Sequence, residues 1–130
     1  MKKTGIVQVK VLKNREILSD QCLVADRFFA RLQGLIGKKS FPPGEGLLFP
    51  HCNDVHMWFM SMPIDICFLK GPYAPGKDSI WEVSRVVSRA NAWSLLPFRE
   101  RKAEHTLELP SGVLESLKIQ KGDQLCINWL

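Results

Sequence analysis

The residue types able to do chemistry are concentrated in one stretch, His51-Cys52-Asn53-Asp54-Val55-His56-Met57-Trp58-Phe59-Met60-Ser61-Met62-Pro63-Ile64-Asp65. Read as a strand, alternate residues share a face, so His56, Trp58 and Met60 point one way and Val55, Met57 and Phe59 the other. Asp65 then stands inside an apolar run, Ile64 to Leu69. A buried carboxylate must be paired or hydrogen-bonded, or it takes up a proton; Arg31 or His56 could be its partner. Glu108, between Leu107 and Leu109, poses the same question more weakly, because a half-exposed strand would place it in solvent.

These residues support several kinds of chemistry. The first is a pocket that binds a ligand or partner through Arg31, His56, Met60, Asp65 and Glu108. The bland counterpart is a polar cluster that ties a helix to a sheet, since structural ion pairs produce the same pattern. The second is an enzyme with His56 as acid or base, oriented by Asp65. The third is a copper-type site of thiolate, imidazole and thioether from Cys52, His56 and Met60. It lacks a patterned second histidine, with only His51 or His105 to supply one, so no metal or other cofactor is expected. Cys52 near His51 and His56 has the types of a nucleophile and its base, but nearness in sequence is not geometry. There is no Gly-x-Ser-x-Gly elbow, phosphate loop or dinucleotide fingerprint.

The elements that must position these groups read as mainly β. Residues 5–12 alternate, Lys13–Glu16 is a polar turn and residues 17–24 return as a second strand, together a hairpin. The period then changes: Phe28, Phe29, Leu32, Leu35 and Ile36 recur at helical spacing behind Asp26 as N-cap. Further strands are expected at 47–49, 55–61, 64–70, 79–87 (with Trp81, Val83 and Val87 on one face) and 105–109. Ser111 is placed to cap a short helix, 112–117. Lys121-Gly122-Asp123 signals a turn into a last strand, 124–129. Many short strands with two short helices predict one barrel- or sandwich-like domain spanning residues 1–130.

Bulk composition agrees. The 130 residues are 45% hydrophobic and 24% charged, enough for one core. The net charge of +5 is dispersed in small groups rather than gathered with aromatics, which argues against nucleic-acid binding. Gln8 and Lys10 interrupt any leader-like apolar run, and no stretch approaches a membrane span. The expectation is a cytoplasmic chain whose cysteines are reduced, with Cys22, Cys67 and Cys126 packed in strands.

Three separated blocks also carry a resemblance. They are Arg31–Gly37 followed by Pro43–Phe49; Val55–Leu69; and Leu107–Gly112 running into Lys121-Gly122-Asp123. From about residue 27 to its end the chain resembles the family called domain of unknown function 192. The resemblance implies a compact β-rich domain and no established activity. Arg31, Gly34, His56, Met60, Pro63, Asp65, Glu108, Pro110, Gly112, Gly122 and Asp123 match its pattern. Ile36, where members usually carry Met, and the 95–98 region depart from it. Many members are exported, and that compartment is not carried over here. The 117–125 run is similar to the Gly-Asp turn of small cradle-type barrels, with Gly122 expected at positive φ and Asp123 hydrogen-bonding the turn.

Overall fold

In the computed structural model, which describes residues 5–25, 41–55, 62–91 and 98–130, the alternating N-terminal valines set the pattern of the wall. Val7, Val9 and Val11 of β1 (Ile6–Val11) are buried, and Gln8 and Lys10 lie on the other face. The chain turns back into β2 (Ile17–Val24), the hairpin expected from the sequence. Then follow β3 (Glu45–Phe49), β4 (Asp54–Val55), β5 (Ile64–Lys70), β6 (Ser79–Ala90), β7 (Phe98–Arg99), β8 (His105–Pro110) and β9 (Gln124–Trp129). Seven strands close in the order β1-β2-β3-β8-β5-β6-β9, with β9 paired back to β1. Of the barrel and sandwich that the pattern allowed, closure selects the barrel, which leaves no open sheet edge. The β2–β3 pair is parallel and the other barrel pairs are antiparallel. β4 and β7 form a separate pair. No helix among the described residues is long and apolar enough to cross a membrane.

The wall is buried on both faces along β3, β5 and β8. Leu48, Cys67, Leu69, Leu107 and Leu109 face the barrel interior with Trp81 and Val83. Leu47, Phe49, Ile64, Ile66 and Phe68 face outward into a second cluster that includes Ala25, Val55 and Ala103. This double burial is why β5 reads as a nearly continuous apolar run rather than an alternation. Ile64, Ile66 and Phe68 are fully buried, and each such side chain contributes about 1.5–3 kcal/mol.

Strand β6 departs from the expected pattern. Phe68 pairs with Arg85 and Leu69 with Val83, so one extra β6 residue is inserted between them. Such a bulge reverses the phase of the alternation. Trp81 and Val83 face the interior, but Val87 packs in the outer cluster; it does not share their face. A second bulge lies where Ile64 pairs with Ala90 and Ile66 with Val87.

The short helix α1 (Val113–Ser116) buries Leu114 in the interior cluster and plugs one end of the barrel. Its cap is Gly112, at φ 97°, with no side-chain cap, so Ser111 does not play the part expected of it. Gly122 has φ 93° and Asp123 Oδ2 accepts the Gln120 N–H at 2.9 Å, as the turn signal implied. Cys22 and Cys67 are fully buried, but Cys126 is half-buried. The helix expected at 27–36 and most of the strand expected at 55–61 lie outside the described residues.

Candidate functional site

Asp65 is fully buried on the interior face of β5, opposite Leu109. Its neighbours explain why an acid is kept there. Arg89 sits at φ 54° in the second β6 bulge, and its N–H donates to Asp65 Oδ1 at 2.9 Å. The N–H groups of Gly112 and Leu114 donate to Oδ2 at 3.1 and 2.8 Å. A bulge and the start of a helix both leave backbone donors without ladder or helix partners. One carboxylate satisfies three of them and ties β5, β6 and α1 together. Three of its roughly four lone-pair positions are thereby filled.

Glu108 lies on the opposite face of the wall. It pairs with Leu47 on one side and Ile66 on the other, inside the outer apolar layer. It is 8% exposed, not in solvent as a half-exposed strand would have placed it. The other buried polar side chains are hydrogen-bonded: Ser19 to Gly44 C=O at 2.8 Å, Thr106 to Cys52 C=O at 2.6 Å, Asp65 and His105. Among the described residues no donor reaches the Glu108 carboxyl. Burial pushes its pKa up to about 8.

A cross-strand row runs through Glu108 around the outer wall. Ile6 pairs with Leu23, Leu23 with Leu47, Leu47 with Glu108, Glu108 with Ile66, and Ile66 with Val87. Glu108 is the one polar member. Ile6 and Leu23, 42% and 45% exposed, form the open end. Over this end lies a groove of about 230 Å³, floored by Ile6, Leu23 and Leu47, flanked by Phe41, and bounded by Gln21 and Glu45. Gln21 and Glu45 are themselves cross-strand partners. Glu108 was among the residues the sequence singled out; the groove was not. The available signal was Ile6 and Leu23 at outward positions of strands whose other outward residues are mostly polar.

His105 is a packing residue. Its Nδ1 accepts the His51 N–H at 3.1 Å, so the ring proton is on Nε2, which donates to Gly71 C=O at 2.8 Å. The ring stacks on Trp81 at 4.0 Å, and burial lowers its pKa. With both nitrogens engaged it is no ligand for a metal. The His51 ring packs edge-on against Tyr73 and His105. The half-buried Cys52 thiol donates to Asp54 C=O at 3.2 Å. Among the described residues no three of His, Cys, Asp and Glu converge as a metal site. Of the sequence-predicted site residues, Asp65 and Glu108 stand on opposite faces of the wall. Arg31, His56 and Met60 lie outside the described residues.

The architecture defines the class: a small closed β-barrel with an outer apolar layer and a single short helix among the described residues. The family model of domain of unknown function 192 (DUF192, Uncharacterized ACR) matches residues 9–127, and the chain belongs to that family. The match begins well before residue 27, taking in the end of β1 and all of β2. No curated protein matches the chain. It is similar to a crystal structure from Sinorhizobium meliloti 1021 described as that of a candidate transcription regulator, at TM-score 0.76 and 20% identity, covering 96% of this chain and 95% of that one. It is also similar to a protein of unknown function from Novosphingobium aromaticivorans DSM 12444, at TM-score 0.72 and 20% identity, covering 92% and 82%. At that identity the likeness shows the fold alone.

Proposed function

We propose that this protein is a small-ligand-binding domain whose site is the outer-wall groove over Ile6, Leu23 and Leu47, with Glu108 at its inner end. The observation that carries this reading is the cross-strand row, in which an apolar floor open to solvent runs directly into a buried carboxyl that no described donor satisfies. Burial with no described donor raises the Glu108 pKa to about 8, the kind of perturbation that binding sites often hold. The volume favours a small molecule over a folded partner: about 230 Å³ has room for roughly seven or eight water-sized groups. The free thiols, with Cys22 and Cys67 buried, support work in a reducing compartment, as the cytoplasm is.

The test is a fragment screen on methyl-labelled protein. Short aliphatic fragments should shift the methyl resonances of Ile6, Leu23 and Leu47 together, and Leu23→Gln should abolish those shifts while leaving the spectrum folded. Hits that map to another face, or no hit from any fragment class, would overturn the assignment.

A further inference from the structure

We infer that the loop between β3 and β4 is held by a proton-operated latch: when His105 takes up a second ring proton it lets go of the His51 peptide, and His51 swings off the aromatic end of the barrel. The latch sits on the interior face of β8 and is independent of the groove on the outer wall.

The closed latch fits only one charge state. His105 Nδ1 accepts the His51 N–H at 3.1 Å, and Nε2 donates to Gly71 C=O at 2.8 Å. A charged imidazole is a donor at both nitrogens. Its Nε2–H still suits Gly71, but its Nδ1–H would face another donor. One of the two groups must then leave, and the ring is confined: His105 is 1% exposed and stacks on Trp81 at 4.0 Å. His51 is free to move, being exposed. Its φ of 57° is uncommon for a residue other than glycine, so release also relaxes its backbone. The following residues stay behind. Cys52 C=O accepts from Thr106 Oγ1 at 2.6 Å, and Asn53 C=O accepts the Glu100 N–H at 3.0 Å.

The surroundings make proton uptake and opening one event. Among the described residues, the loop presents the His51 ring, its centroid 5.5 Å from that of His105. The turn after β5 presents Gly71 C=O and Tyr73, the latter at 6.1 Å. The segment before β8 presents Glu104, whose carboxylate accepts the Gly71 N–H at 3.1 Å. Trp81 of β6 and Leu69 of β5 carry no charge. Burial opposes the charged ring most; Gly71 and Glu104 favour it, and His51 opposes it. Departure of His51 removes one opponent and lets water relieve the other, while Gly71 and Glu104 remain. The open form therefore holds the proton more tightly than the closed form, and acid shifts the population toward it. Opening uncovers the edges of Tyr73 and His105 against which His51 packs, so acid adds aromatic surface at this end of the barrel.

The experiment is an NMR titration of the full chain from pH 8 down to the onset of global unfolding, following the histidine ring nitrogens and the backbone amides. In the wild type, His105 Nδ1 should gain its proton below the ordinary value of 6.5. In the same step the His51 amide proton should move upfield as its hydrogen bond is lost, with the Leu107 and Leu109 amides unchanged. His51→Gln keeps the backbone donor and removes the nearby ring charge, so it should show the same step at higher pH. His105→Asn offers a side-chain oxygen in place of Nδ1 and does not titrate, so the amide at position 51 should stay bonded through the step. If His105 charges and the His51 amide does not move, the latch is wrong. It is equally wrong if both change only together with the Leu107 and Leu109 amides, or if His105→Asn shows the wild-type step. The wild-type titration decides the matter without requiring either variant to fold.

Discussion

Two buried carboxyls a few residues apart in the folded wall have opposite energetic meanings. Asp65 faces the interior and is surrounded by donors, the N–H groups of Arg89, Gly112 and Leu114. Glu108 faces the outer layer with no described donor at all. The same chemical change, acid to amide, should therefore act differently at each. Asp65→Asn keeps one carbonyl oxygen but turns an NH2 group toward N–H donors, leaving at least one of them buried and unsatisfied. Hydrogen bonds to a charged acceptor contribute about 1.5–3 kcal/mol each, so the substitution should cost about 3 kcal/mol. Urea unfolding of the variant against wild type checks this. Unchanged stability would show that the bulge and the helix start do not depend on the carboxylate.

At the scale of elements, the turn after β5 depends on a missing side chain. A Cβ at Gly71 would collide with Cδ1 of Trp81. Trp81 cannot yield: it is 1% exposed, its indole N–H donates to Pro72 C=O at 2.7 Å, and its ring stacks on His105. Gly71→Ala should destabilise by about 1–3 kcal/mol, as overpacking does, and thermal unfolding would show it; an unchanged Tm would mean the turn moves freely. Legibility in the sequence divides at this same scale. The β1–β2 hairpin, β5, β8 and the Gly122-Asp123 turn were readable because alternation and turn chemistry are local. The reversal of Val87 was not, because one inserted residue in β6 leaves no mark on composition. Asp65 was legible as a buried acid, but its partners are backbone N–H groups, which no side-chain pattern announces. Glu108 looked solvent-facing because the outer layer that buries it includes chain far away in sequence, Ala25 and Val55.

For the molecule as a whole, Glu108 and His105 make folding depend on pH in opposite directions. His105 is held neutral, its pKa lowered from 6.5 by burial. As pH falls below that ordinary value the unfolded chain takes up a proton that the folded chain refuses, and stability is lost on the acid side. For Glu108 the folded value is raised, from 4.5 to about 8. Below the ordinary value both states hold the proton and the group has no effect. Between about 4.5 and about 8 the folded state alone retains it, so the folded state binds more protons and stability falls as pH rises. Above the upper value both states are ionised and the loss is complete. At about 1.4 kcal/mol per pH unit across this interval, the loss amounts to a few kcal/mol. Glu108→Gln removes this term while leaving His105 common to both proteins. The buried amide adds an offset that does not change with pH. The stability of Glu108→Gln relative to wild type should therefore rise between pH 5 and pH 8, whatever its sign at pH 5. Urea unfolding of both proteins at several pH values in that window measures the difference directly. A difference that stays flat would mean that Glu108 is ionised in the folded protein across the window, and so already has a cation beside it.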